Sequence, residues 1–160
     1  MIVLSPDPLD PWGVARAVGD PEHGGLALFV GTTRREAGER EVVELRYEAY
    51  EELCLRELRA IADEAAERFG ARLALAHRVG AVAVGDPSVV VVASAGHRAE
   101  AFAACRYGID ELKSRAPIWK RTVYADGGAS WRDGDVGAPR SRTAASAAGV
   151  SGRRRSPATP

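Results

Sequence analysis

The chain lacks several features that would place it in a whole class of proteins. It has only two cysteines in 160 residues, and 22 acidic residues balance 22 basic ones, so its net charge is zero. A neutral chain is poorly suited to coat nucleic acid or an anionic membrane, and we expect neither as a partner. Apolar runs such as residues 89–93 are far too short to span a bilayer, and the first residues show no secretory pattern. We therefore expect a soluble, cytoplasmic protein.

Composition also indicates which residues form a folded domain and which do not. Apolar residues make up 46% of the chain, which is enough to bury the core of one domain. Residues 133–160 are instead rich in Ala, Ser, Gly, Pro and Arg without apolar periodicity, so we expect a disordered tail after a domain at 1–132. Cys54 and Cys105 lie in helix-like patterns without CxxC spacing. We interpret them as reduced core residues, with a disulfide or a reactive thiol as the alternative.

Lysine is the rarest charged residue. Only two of the 22 basic residues, Lys113 and Lys120, are lysine, and both lie in the segment 113-KSRAPIWKR-121. An Arg-rich chain that keeps two neighbouring lysines suggests that arginine does not replace them. Only a lysine amine can lose its proton and act as a nucleophile or a base. Chance survival of two surface lysines is the alternative.

Hydrophobic periodicity predicts alternating strands and helices. Strands are expected at residues 25–30, 43–49, 73–79, 88–95 and 115–124, and helices at 11–18, 50–69 and 99–112. The almost continuously apolar run at 88–95 is typical of a strand buried on both faces. Val43 should lie on the buried face of its strand, and Phe102 on the buried stripe of the last helix. This order of elements predicts an α/β or α+β fold.

Gly96-His97-Arg98 marks the junction between the buried strand and the last helix. Backbone N–H groups and the positive end of the helix dipole favour an anion there, and His97 and Arg98 would add donors. Arginine is unfavourable at this end of a helix unless it has such a role. The junction is therefore a candidate site for phosphate or carboxylate, and a helix that merely begins with basic residues is the alternative.

The lysine segment is a second candidate site. Lys113 falls at the end of the last helix, and Pro117 stops the helix before Lys120. With Arg115 and Arg121 the segment holds four cations and no acid. Such crowding costs free energy unless an anion binds, and it lowers the pKa of a lysine.

Five other residues have less specific interpretations. Arg34 and Arg35, on a polar loop, either face solvent or contribute to an anion pocket. His77 is interpreted as a core histidine, His23 as a turn residue without partners, and Trp119 as a core residue with a stacking surface as the alternative. The sequence shows no metal-ligand spacing, P-loop, GxGxxG or GxSxG, so we expect no metal or cofactor. The residues alone indicate a cationic pocket for a small anionic substrate.

Five segments resemble one protein family. They are 29-FVGTTRREAG-38, 45-LRYEAY-50, 77-HRVGAVAVGD-86, 96-GHRAEAF-102 and 110-DELKSRAPIWK-120. In order and spacing they are similar to the large, catalytic subunit of molybdopterin synthase, the MoaE family, across residues 25–131. The GHR-x-x-AF and K-x-x-APIWK segments are the specific part of this resemblance.

The resemblance implies an enzyme of molybdenum cofactor biosynthesis. The family is a sulfurtransferase that converts cyclic pyranopterin monophosphate (precursor Z) into molybdopterin by two sulfur transfers. The sulfur arrives as a thiocarboxylate on the C-terminal glycine of a small ubiquitin-like subunit. The large subunit forms a homodimer at the centre of a heterotetramer, and its site takes residues from both copies. The implied fold is a MoaE-like α/β hammerhead with an additional antiparallel β subdomain.

Positions that match the family's motifs take over its expected roles. Lys113 and Lys120 match two essential lysines. Lys113 would contact the glycine carbonyl and act in acid–base or covalent steps, and Lys120 would stabilise negative charge or carry protons. The matching phosphate and pocket residues are Arg34, His97 and Arg98, and the matching pocket-lining residues are Phe29 and Ile109.

After Trp131 the chain departs from the family's pattern. The family carries an arginine a few residues beyond this tryptophan, whereas residues 132–139 read RDGDVGAP, with Asp135 near that place. Arg132 and Arg140 are the alternatives, although neither has the family's spacing. The sequence therefore leaves open which residue takes the place of this arginine in the part of the site that a second copy supplies.

Two other functions fit the same residues. A binding module would hold a ubiquitin-like tail or a phosphorylated metabolite in the cationic groove without chemistry. A different lysine-dependent enzyme would form a Schiff base with a phosphorylated carbonyl compound. Lysine-to-arginine variants separate the first of these from a synthase, and borohydride trapping would identify the second.

Overall fold

Strand pairing in two sheets organises the chain. The computed structural model describes residues 1–35 and 40–132. Over these residues the elements are β1 (Ile2–Ser5), α1 (Pro11–Arg16), β2 (Gly25–Thr32), β3 (Val42–Ala49), α2 (Glu51–Phe69), β4 (Arg72–Arg78), β5 (Gly80–Ala83), β6 (Pro87–Ala95), α3 (Arg98–Arg115), β7 (Ile118–Tyr124) and β8 (Ala129–Arg132). The tail expected at 133–160 lies outside the described residues.

The first sheet is built around β6. Its order is β1-β4-β6-β2, with β1 parallel to β4 and the other pairs antiparallel. Side chains of β6 alternate between two cores: Val89, Val91 and Ala93 face one, and Val90 and Val92 face the other. The expectation of a strand buried on both faces is confirmed.

Helices cover both faces of this sheet. α1 places Val14 and Ala15 in the smaller core, and Asp10 caps it by accepting a hydrogen bond of 3.0 Å from the Trp12 N–H. α2 and α3 cover the opposite face. Gly70 ends α2 in the left-handed region, with φ of 58°, where the sequence predicts the end of the helix. No helix among the described residues is long and apolar enough to cross a membrane.

An ion-pair cluster joins α2 to α3. Arg115 Nη1 lies 2.8 Å from Glu64 Oε2, and Arg115 Nε lies 3.1 Å from Glu57 Oε2. Tyr107 also donates a hydrogen bond to Glu64. The sequence predicts four cations without an acid in the lysine segment, but α2 supplies acids that neutralise one of them. The hydrogen bonds to Glu64 and Glu57 raise the pKa of Arg115 above its already high ordinary value.

The second sheet contains the strand of Lys120. Its order is β5-β3-β7-β8, and all its pairs are antiparallel. Leu45, Tyr47, Val82 and Ile118 on its inner face pack into the larger core. This confirms the predicted α/β or α+β fold, and the antiparallel second sheet agrees with the additional β subdomain that the resemblance implies.

Three local features differ from expectation. The sequence does not predict β1, β5 and β8, because strands of four residues at a sheet edge carry too little periodicity. A register shift at the start of β3 buries Val42 and leaves Val43 42% exposed. Phe102 is 67% exposed, because α3 turns small residues such as Ala101 and Ala104 toward the sheet.

Gly25 lies where β2 passes close to the junction of β6 and α3. A Cβ there would stand 2.8 Å from the His97 carbonyl oxygen and 3.0 Å from Arg98 N, both backbone atoms. We predict that Gly25→Ala lowers the free energy of unfolding by about 1–3 kcal/mol, because backbone must move. Urea unfolding measures the change. Gly96→Ala is the control, since a Cβ there meets no described atom within 4 Å, and equal losses at both positions would contradict the prediction.

Candidate functional site

The two lysines lie on consecutive elements. α3 continues three residues beyond the predicted helix, so Lys113 lies in its last turn, with an exposed side chain. The chain then enters β7, where Lys120 is partly buried. Lys120 faces the inner side of the second sheet, because it alternates with the outward Trp119 and shares its face with the buried Ile118 and Thr122.

Tyr47 and His77 connect the surroundings of the two lysines. Tyr47 stands opposite Lys120 in the register of β3 and β7. Its ring meets the His77 ring edge-on, with the ring centroids 5.1 Å apart. The positive charge of Lys113 acts on His77 in turn. Tyr47 therefore pairs with Lys120 in the sheet and contacts His77 through its ring.

His77 is neutral at physiological pH. Its side chain is only 1% exposed. Burial, and to a smaller extent the charge of Lys113, lowers its pKa from 6.5 to about 4. The prediction of a core histidine is confirmed, but the sequence does not predict that α3 brings Lys113 close to it. One signal could have drawn attention to His77, because this polar residue directly follows the apolar stretch at 73–76 in the same strand.

The junction that is predicted to bind an anion has the expected backbone. His97 precedes α3 in an extended conformation, with φ of −130° and ψ of 163°, and Arg98 is the first helical residue. Both side chains are exposed. Gly24 holds the junction by donating its N–H to the Gly96 carbonyl at 3.2 Å. Two basic side chains and a helix N-terminus thus lie together, and phosphate binding there stays a prediction.

Arg34 follows β2 on a loop whose base is fixed. Thr33 donates its N–H to the Asp86 carbonyl at 2.9 Å, and its own carbonyl accepts from the Gly85 N–H at 2.7 Å. Arg78 Nη1 lies 3.2 Å from the Asp86 carboxylate. These contacts fix the point at which the exposed Arg34 leaves the sheet, and its contact with an anion stays a prediction.

The His97–Arg98 junction and Lys113 lie at opposite ends of α3. Lys113 comes fifteen residues after Arg98 in an uninterrupted helix. At a rise of 1.5 Å per residue, this places their backbones about 22 Å apart. Within one copy of the chain, the structure therefore does not bring His97 and Arg98 into hydrogen-bonding distance of the lysines.

Phe29 and Ile109 meet at a third place. They line a cavity of about 360 Å³ together with Phe102 and Cys105, and neither lysine is part of its lining. Cys54 and Cys105 are buried and unbridged, as the sequence predicts. Burial raises the pKa of each thiol to about 11, so both are protonated at neutral pH. This makes either thiol a poor nucleophile.

Two side chains differ from the predicted environment, and a third agrees with one of its two interpretations. Trp119, expected in the core, is 42% exposed, because it lies on the outer face of β7. His23, expected without partners, has its Nδ1 2.8 Å from Ser94 Oγ. Arg35 Nη2 lies 3.8 Å from Glu41 Oε1 at the surface, which favours the solvent-facing interpretation of this arginine.

Arg132 lies in the strand next to Lys120. The register of β7 and β8 pairs these two residues directly. Arg140, the other alternative for the family's arginine, and Asp135 lie outside the described residues. Across residues 1–35 and 40–132, no group of three or more His, Cys, Asp or Glu side chains is arranged to hold a metal ion.

Known proteins resemble this chain in sequence and in fold. The MoaE protein family matches residues 4–115. The molybdopterin synthase catalytic subunit of Oryza sativa subsp. indica is 55% identical over 111 residues, which cover 69% of this chain and 58% of the rice protein. The protein of that name from Pyrococcus abyssi is 40% identical over 139 residues, covering 86% of this chain and 93% of that protein. The chain thus spans less than two thirds of the rice relative's length.

A solved structure supports the same assignment of fold. The X-ray crystal structure of molybdopterin synthase from Staphylococcus aureus aligns with a TM-score of 0.77 at 28% identity. The alignment covers 81% of this chain and 94% of that one. The two-sheet arrangement described above is therefore shared with a known structure.

The buried neutral His77 makes stability depend on pH. The unfolded chain takes up this proton near pH 6.5, whereas the folded chain does so only near pH 4. Between these values the unfolded state holds more protons, so the stabilisation is complete above pH 6.5 and is lost as the pH falls toward 4. We predict a loss of about 3 kcal/mol in the free energy of unfolding, measured by urea unfolding at several pH values. His77→Gln should lack this part of the slope, and equal slopes would contradict the prediction.

Proposed function

Because this chain belongs to the MoaE family, we propose that it acts as the catalytic subunit of molybdopterin synthase. In this role it is a sulfurtransferase that converts precursor Z into molybdopterin. Its partner is a small ubiquitin-like subunit with a C-terminal thiocarboxylate. The relatives are themselves called catalytic subunits, a name that implies a further subunit in those enzymes.

The placement of the two lysines on consecutive elements, in the last turn of α3 and on the inner face of β7, carries this proposal. A chain with 20 arginines keeps only two lysines. They come from a helix and from the following strand, yet Tyr47 and His77 connect their surroundings. A site that required only positive charge could use arginine, whereas one that moves protons requires an amine.

The two lysines suit different steps of sulfur transfer. The thiocarboxylate of the incoming glycine is anionic, and the exposed Lys113 contacts its carbonyl. Negative charge develops on oxygen while the sulfur passes to the pterin. The partly buried Lys120 stabilises that charge or returns a proton, and its lower exposure strengthens the electrostatic interaction.

The phosphate of precursor Z suits the other end of α3. Arg34, whose loop follows the end of β2 opposite the Gly25–His97 contact, contributes from the copy that carries the lysines, while His97, Arg98 and the first N–H groups of the helix bind the phosphate. Because α3 keeps these groups about 22 Å from Lys113 within one copy, a second copy must supply them beside the lysines of the first. This requirement supports a homodimer at the centre of a heterotetramer.

Arginine in place of either lysine keeps the charge and removes the amine. We predict that Lys113→Arg and Lys120→Arg each lower the single-turnover rate of molybdopterin formation by about 100-fold or more. The assay mixes the protein with the thiocarboxylated small subunit and precursor Z. It then detects molybdopterin as its fluorescent oxidation product.

Arg121→Lys is the matched control for these variants. Arg121 neighbours Lys120 on β7 but is exposed on the outer face, so this change should leave the rate at the wild-type level. Arginine variants that keep that rate would show that the lysines supply charge alone. Wild-type protein that binds the small subunit and forms no product would favour the binding module.

A site shared between two copies allows subunit complementation. In a mixed dimer of Lys113→Ala and Arg98→Ala, one site carries both defects, and the other combines the intact lysine of one copy with the intact arginine of its partner. We predict that mixing these two inactive variants restores about a quarter of the wild-type rate after subunit exchange. Mixing Lys113→Ala with Lys120→Ala is the control and should restore nothing, since both lysines come from the same copy. No recovery in the first mixture would place the whole site within one copy.

A further inference from the structure

The segment between α1 and β2, residues 17–24, lies against the end of β6 and next to the His97–Arg98 junction. His23 belongs to this segment and has no part in the mechanism described so far. Its ring is partly buried, and its Nδ1 lies 2.8 Å from Oγ of Ser94, a β6 residue that is only 3% exposed. A side chain that reaches from a loop to a buried hydroxyl fixes the loop at that point.

The hydroxyl of Ser94 determines which atom donates in this contact. It donates its own hydrogen to the Val18 carbonyl oxygen, with the two oxygens 2.5 Å apart. Because a hydroxyl has a single hydrogen, Oγ can only accept from His23. Nδ1 of His23 therefore carries a hydrogen, as it does in the imidazolium and in one of the two neutral tautomers. Ser94 thus binds the segment near its start, at Val18, and near its end, at His23.

Further contacts hold the same segment to the first sheet. The His23 N–H donates to the Asp20 carbonyl at 3.1 Å. The Asp20 carboxylate lies 2.7 Å from Nη2 of Arg72 on β4, and Nη1 of Arg72 donates to the Gly19 carbonyl at 3.1 Å. The segment is therefore fixed at several points, and Gly24, which follows His23 directly, has a defined position.

Gly24 in turn orients the peptide unit that precedes α3. Its N–H donates to the Gly96 carbonyl at 3.2 Å. The described residues contain no cis peptide bond, so the C=O and the N–H of the unit between Gly96 and His97 point in opposite directions. The His97 N–H therefore points away from Gly24. Both glycines are exposed, so water competes for their bond, and the bond depends on a neighbour that holds Gly24 in place.

We propose that His23 is a positioning residue for phosphate binding, because its bond to Ser94 holds Gly24 against Gly96 and so turns the His97 N–H toward the phosphate of the substrate. Backbone N–H groups at the start of a helix bind an anion when they point at it together. Without the His23–Ser94 bond, the peptide unit before His97 is free to rotate, and the phosphate loses a donor. This inference rests on the proposed function and deepens it, since His23 determines affinity for the phosphate without touching it.

Two substitutions of similar size separate positioning from packing. His23→Asn keeps an N–H at the level of Nδ1 and can donate to Ser94, whereas His23→Leu has no donor. Ser94→Ala removes the acceptor instead, so that the test does not depend on the folding of one variant. Val14→Ala is the stability control, because it weakens the smaller core without removing a hydrogen bond.

The first readout does not depend on activity. Inorganic phosphate is titrated into each protein, and its dissociation constant is obtained from the amide NMR shifts of residues 97–99. His23→Leu and Ser94→Ala should raise this constant by about three- to ten-fold, because a hydrogen bond to a charged group is weakened. His23→Asn and Val14→Ala should match the wild type.

Three results of this titration would overturn the proposal. In the first, the dissociation constant is the same in His23→Leu, Ser94→Ala and the wild type. In the second, His23→Asn loses as much affinity as His23→Leu, so that the donor has no importance. In the third, phosphate does not shift the amides of the wild type, so that the junction does not bind it.

Hydrogen exchange tests the intermediate step through Gly24. The Gly24 N–H should exchange about three-fold faster or more in His23→Leu than in the wild type, because its bond to Gly96 opens more often. In His23→Asn the exchange rate should be unchanged. A Gly24 N–H that exchanges equally fast in His23→Leu and in the wild type would contradict the proposed route.

Kinetics then connect the junction to the reaction. His23→Leu should raise the KM for precursor Z by about three- to ten-fold and leave the single-turnover rate at saturation within about two-fold, because the lysines are untouched. A lower rate at saturation with an unchanged KM would overturn the proposal. Wild-type protein that forms no molybdopterin refutes the proposed function, and the phosphate titration still decides on His23. Active wild type with equal KM and equal phosphate affinity in all variants refutes the positioning role alone.

Discussion

The packing of α3 against the first sheet is the constraint on which the site depends. β6 is buried on both faces, so the face opposite α1 must be covered along its length, and α3 does this together with α2. The fit is close, since a Cβ at Gly108 would stand 3.0 Å from Leu73 Cδ2 and 3.1 Å from Val91 Cγ1. A helix packed at this density cannot slide along the sheet without losing contacts. Its two ends, at Arg98 and Lys113, are therefore fixed in space.

Contacts within the fold distinguish the two arginines of the lysine segment from its two lysines. The acids of α2 bind Arg115 and make it part of the contact between the two helices. Arg121 faces outward, with its guanidinium 5.9 Å from the centre of the Trp131 ring. Lys120 instead shares the inner face of the second sheet with the buried Ile118 and Thr122. Arg115 and Arg121 thus serve structure, whereas the proposed chemistry requires the lysines, because their amines can lose a proton.

The sequence predicts a structural element well when the evidence for it lies within that element, and poorly when the element forms only by pairing with a distant segment. The long helix α2 and the central strand β6 were predictable to within two residues, because periodicity over many positions outweighs local noise. The edge strands β1 and β5, and the bulge that exposes Val43, depend on pairing with distant segments. In the site, the scarcity of lysine located Lys113 and Lys120, and the Gly96-His97-Arg98 junction followed from adjacent residues. The environment of His77 could not be predicted, because β3, β4 and α3 meet there only through packing.

The length of α3 has a further electrostatic consequence. A helix of 18 residues is needed to cover the nine-residue β6 and the strands beside it. The same length keeps the cations at its N-terminus about 22 Å from Lys113, a distance at which solvent and salt screen most of their repulsion. One copy can therefore fold with both cationic groups in place and without an anion to neutralise them. In the proposed homodimer the groups of two copies come together, and their repulsion is then offset by the phosphate and the thiocarboxylate, so that formation of a complete site and binding of its anionic substrates favour each other.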